Sequence, residues 1–64
     1  MDPNETLRLM IAAAQTVVLA LEMDEQPPAH VVQQLAEAAL NLDDWLARGG
    51  FAPDAWGTGR QDQL

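Results

Sequence analysis

Few side chains in this sequence could do covalent or metal chemistry, and their spacing argues against it. There is one His, no Cys, and ten acidic residues against three basic ones, all Arg. His30 falls on a polar helix stripe with no Ser or Cys neighbour to activate, so it reads as a solvated surface imidazole. A zinc site around it would need carboxylates as its other ligands, and none sits at suitable helical spacing. Asp43 and Asp44 are adjacent. On a helix, neighbours point about 100° apart, so they cannot form a close carboxylate dyad. Glu22, Asp24 and Glu25 bracket a turn but lack the loop spacing of a calcium site, and they serve loop solubility. Gly49-Gly50 follows no strand and precedes no GK[ST] sequence, so it is not a phosphate loop. The expectation is a protein that is not an enzyme and that carries no cofactor and no metal.

The aromatic residues are a second concentrated signal. Trp45, Phe51 and Trp56 are the only ones in the chain, and all lie in "NLDDWLARGGFAPDAW", residues 41–56. As a structural plug, Phe51 and Trp56 fold back over the end of a helical core and pack on Trp45. As a partner contact, the same cluster is a binding hot spot, where Trp and Arg dominate. The residues alone leave both readings open.

The elements around these residues are two helices. "MDPNE" places Asp2 as N-cap, Pro3 at N1 and Glu5 at N3, a capping box with Asp in the Ser/Thr role. Asn4 is the alternative cap. The helix runs over about 3–23. "MDEQPP" then breaks it, with the turn at 24–28 and Pro28 as N1 of a second helix over about 28–48. Gly49 is the expected left-handed residue after that helix. Two helices of about 20 residues, each roughly 30 Å long, joined by a short loop make an antiparallel hairpin. The fold class is therefore all-α: a helical hairpin domain over 1–56 with an aromatic C-terminal turn, and a flexible tail over 57–64.

The two helices differ in pattern. In the second, His30, Gln33, Gln34, Glu37, Asn41, Asp44 and Arg48 form one wet stripe. Val31, Val32, Leu35, Ala38, Ala39, Leu42, Trp45 and Leu46 form the apolar side. In the first, Leu7, Met10, Ile11, Ala14, Val17, Val18 and Leu21 form the stripe expected to face its partner. Leu9, Ala12, Ala13, Leu19, Ala20 and Met23 make much of the remainder apolar as well. A helix apolar nearly all round is a buried helix, and one partner covers only one side. The second set is therefore the expected interface of a homodimer that closes into a four-helix bundle.

Bulk properties point the same way. A chain of 64 residues is one domain at most, and surface dominates volume at that size. Without disulfides or metal it needs exceptional packing or a partner subunit. A net charge of −7 with no Lys argues against nucleic acid or an anionic membrane as partner. The apolar run 9–21 contains Gln15 and Thr16 and is too short to span a bilayer. Asp2 and Glu5 stand where a secretory signal has basic residues, so the expected compartment is the cytoplasm.

The two ends of the hairpin carry a resemblance. "MDPNETLR" and "LDDWLARGGFAPDAW" resemble very short acidic proteins of actinobacteriophages and actinobacteria that share an LD-x-WL-x-x-GGF-x-P-x-x-W ending. Leu42, Asp43, Trp45, Leu46, Gly49, Gly50, Phe51, Pro53 and Trp56 match that pattern, and the two stretches cover about a third of the chain. The resemblance implies a phage accessory protein acting in the bacterial host cytoplasm and brings no catalytic residue with it. Two functional expectations follow. The first is a non-enzymatic protein-interaction module, homodimeric or docked on a host protein. The second is an acidic decoy that occupies the basic cleft of a host nucleic-acid-binding protein, although only Glu37 and Asp44 share a helical face at seven-residue spacing.

Overall fold

The structure, a computed structural model, describes residues 1–56; the expected tail over 57–64 lies outside the described residues. Two helices, α1 (Pro3–Glu22) and α2 (Ala29–Ala47), pack against each other as the expected hairpin, and the described residues contain no strand. The ends fall within a residue of the sequence expectation, which is the ordinary uncertainty of a helix boundary.

Each end has a local cause. Asp2 is extended, and its Oδ1 accepts from the backbone N–H of Asn4 at 2.9 Å and of Glu5 at 3.4 Å. The capping box is only half formed, because Glu5 turns away to an ion pair with Arg8 one turn on. At the other end of α1, Asp24 takes the left-handed position at φ 59. Its N–H donates to the Leu21 carbonyl (3.1 Å), and that of Glu25 to the Ala20 carbonyl (2.8 Å), which together make a Schellman ending. Pro28 corrects the expectation for α2. Its ψ of 138 is extended, so it is the N-cap and not N1; its carbonyl accepts from Val31 and Val32, and no side chain caps the helix. The C-terminus of α2 repeats the Schellman ending. Gly49 is left-handed at φ 92 and donates to Leu46, while Gly50 donates to Trp45. Asp44 accepts from Arg48 Nε at 2.9 Å. That hydrogen bond, and then the opposite charge, raise the guanidinium above its usual pKa. Both groups are in solvent, so the pair adds little stability.

The seam between the helices is thin. Leu7, Ala13, Ala38 and Leu42 are its buried apolar side chains, flanked by half-buried Met10, Val17, Val31, Leu35 and Leu46. Ala13 and Ala38 stand near mid-length of their helices, where a small side chain lets two axes approach closely. This seam rotates α1 relative to the sequence expectation. Ala13, expected at a dimer interface, is 4% exposed inside the monomer, and Ala20 is half-buried beside it. Ile11 and Val18, expected in the seam, are 44% and 53% exposed, and Leu21 is also exposed. The apolar arc of α1 is wider than one partner helix can cover, and the pair settles where alanine permits contact.

Beyond Gly50 the chain folds back. A Cβ on Gly50 would overlap the Trp45 indole, so the second glycine is there for space and the first for its backbone angle. Trp45 Nε1 donates to the Phe51 carbonyl at 2.9 Å, and the two rings meet edge to face with centroids 5.6 Å apart. Pro53 then reaches the start of α1, where it and Pro3 are essentially fully buried. Asn4 holds it there: its Oδ1 accepts from Asp54 N at 2.8 Å, and its Nδ2 donates to Asp54 Oδ2 at 3.5 Å. The segment folds back over the end of the hairpin, but its buried piece is Pro53. Phe51 is 63% exposed, and Trp56, expected against Trp45, is 37% exposed in the helical turn that follows Pro53.

Candidate interaction surface

The principal extents of the molecule are 40 × 25 × 15 Å, so it is little more than one helix thick, a helix being about 10–12 Å across. Every helix therefore has an outward side. In an antiparallel pair, residues displaced in the same rotational sense from the seam fall on the same broad face. That rule gives the hairpin two unlike faces.

One face is wet. Thr6 and Leu9 of α1 share a shallow groove with His30, Gln33, Gln34, Glu37 and Asn41 of α2. Gln33 Nε2 donates to Glu37 Oε2 at 2.9 Å across one turn. His30 is exposed there. Among the described residues no three His, Cys, Asp or Glu side chains come together as a metal cluster, and no charged side chain is buried. Glu22, Asp24 and Glu25 are exposed around the turn.

The opposite face is apolar. Ile11, Ala14 and Val18 of α1 and Val32 and Ala39 of α2 fall on it by helical period, over half-buried Leu35 and Leu46. It continues around the outer edge of α1 as two adjoining shallow grooves. One is lined by Asn4, Leu7, Arg8, Ile11, Ala12, Gln15 and Ala55, the other by Ile11, Ala14, Gln15, Val18, Leu19 and Glu22. Hydrocarbon dominates both linings.

The six residues expected at a dimer interface divide four ways. Ala12 and Leu19 are exposed on the outer edge of α1. Leu9 faces the wet groove, and Met23 is the exposed C-cap of α1. Ala13 and Ala20 belong to the hairpin itself. Ile11 and Val18 were missed as surface residues. A signal for them existed in the steps from Arg8 to Ile11, Gln15, Val18 and Glu22, which alternate three and four residues as a helical seam does. The aromatic set also divides. Trp45 is half-buried against Phe51, while Phe51 and Trp56 keep exposed area.

No helix among the described residues is long and apolar enough to cross a membrane. Compared with family models, with curated proteins and with solved structures, the chain matches none.

Proposed function

We propose that this chain is a small non-enzymatic protein-interaction module that acts as a homodimer, a four-helix assembly joined through α1. In line with the resemblance of its ends, it serves as a phage accessory protein in the host cytoplasm. The observation that carries the reading is the exposure of Ile11, Val18 and Leu19 together on one side of α1, beside a seam whose buried apolar side chains among the described residues are Leu7, Ala13, Ala38 and Leu42. If half a dozen apolar side chains on this side each lose on the order of 40 Å², they contribute about 6 kcal/mol per chain at about 25 cal/mol/Å². That is comparable to the whole stability of a domain this small. The decoy reading loses ground, because Asp44 pairs with Arg48 and Glu5 with Arg8, which leaves fewer free carboxylates on the helix surfaces. Of the other acids among the described residues, Glu22, Asp24 and Glu25 lie around the inter-helix turn, Asp2 and Asp54 at the other end of the hairpin, and Glu37 and Asp43 on different faces of α2.

A dimer that shares its core melts higher when concentrated, because association is linked to folding. The melting temperature is expected to rise across a hundredfold concentration range, and Leu19→Glu to abolish that rise while lowering the melting temperature. A melting temperature independent of concentration in the unaltered chain would contradict the homodimer.

A further inference from the structure

We infer that the outer edge of α1 is covered by the same edge of a second copy, crossing antiparallel about a two-fold axis at Gln15. This rests on the homodimeric reading above and specifies its geometry: the edge lies on the side of α1 away from α2, so the four helices stand in a row with the two α1 helices at the centre. Arg8, Ile11, Gln15, Val18 and Glu22 follow coiled-coil spacing, with Ala12 and Leu19 beside them, and all seven are exposed.

The edge is self-complementary when read outward from its middle. Arg8, the one cation of α1, stands seven residues before Gln15, and Glu22 stands seven after. Ile11 and Leu19 stand four residues to either side, Ala12 and Val18 three. An antiparallel copy therefore sets Arg8 against the partner's Glu22, Ile11 against the partner's Leu19 and Ala12 against the partner's Val18. The two-fold axis makes each of these pairs twice. At the axis two Gln15 side chains meet, and each amide has a donor for the other's acceptor. A polar residue at one such position sets the register of helix pairing. A parallel copy would place Arg8 against the partner's Arg8 and Glu22 against the partner's Glu22, which like-charge repulsion disfavours.

Charge is what selects a second copy. The chain carries −7, so most of its surface repels itself. On this edge Arg8 and Glu22 sum to zero. Arg8 already pairs with Glu5 of its own helix, yet its side chain is 73% exposed and a guanidinium has five N–H donors, so it can also reach a carboxylate across the seam.

A charge swap tests the geometry, with the dissociation constant read from a dilution series in sedimentation velocity. Arg8→Glu or Glu22→Arg alone turns two attractive pairs into two repulsive ones and should weaken the dimer by about thirtyfold. The double variant restores the pairs with exchanged signs and should return to within about threefold of the parent. Singles that leave the dimer unchanged, or a double that fails to recover, would overturn this arrangement and leave the homodimer standing. A monomeric parent would remove both. The chain has no Cys, so disulfide capture is a second measurement. Mixed Ile11→Cys and Leu19→Cys chains should give the heterodisulfide in preference to either homodisulfide, and the opposite preference would contradict the antiparallel crossing.

Discussion

Asp24 is the one non-glycine residue of the described chain with a left-handed backbone. An L-residue there costs on the order of 1 kcal/mol, and Asp is among the more tolerant. The turn accepts the cost because the Schellman bonds of Asp24 and Glu25 satisfy two carbonyls at the end of α1. Asp24→Gly is expected to raise stability by about 0.5–1 kcal/mol in urea titration; a loss would mean that its carboxylate, not its backbone, matters to the turn. This position was not legible in the sequence. Asp in "MDEQPP" suits a plain turn equally well, whereas Gly49 followed a helix ending in Arg and announced its role. Gly50 was only half legible. That it offers no side chain to pack on the helix end is plain from the sequence, but only the fold shows the Trp45 ring occupying that space.

At the scale of elements, the C-terminal segment acts as a clasp. Trp45 holds Phe51 by a hydrogen bond and an edge-to-face contact, Pro53 is buried near Pro3, and Asn4 ties Asp54 to the start of α1. The two tryptophans should therefore differ. Trp45→Ala is expected to cost about 3 kcal/mol and to release the segment. Trp56→Ala, at a site already part-exposed, should cost about 1 kcal/mol. Equal losses in denaturant titration would contradict this division and return Trp56 to the centre of the plug. The helices, their turn and the N-cap were legible because each depends on local backbone rules. The rotation of α1 was not. With apolar residues nearly all round that helix, periodicity alone could not choose between a seam at Ile11 and Val18 and one at Ala13 and Ala20. The choice depends on which residues let α2 approach, and that is a property of the pair.

At the scale of the whole molecule, a slab one helix thick cannot cover both sides of α1 by itself. The wet face, with His30, Gln33, Gln34, Glu37 and Asn41, needs no cover. The opposite side does, since Ile11, Val18 and Leu19 together exceed what scattered surface hydrophobics explain. Two copies of −7 give a dimer of −14, but the acids lie mostly at the turn, the termini and the wet face, so the seam itself need not be repulsive. Sedimentation equilibrium of the unaltered chain at micromolar concentration tests the dimer most directly. Two chains of 7.0 kDa predict a species of about 14 kDa that dissociates on dilution. A folded, soluble species of 7.0 kDa at every concentration would contradict it.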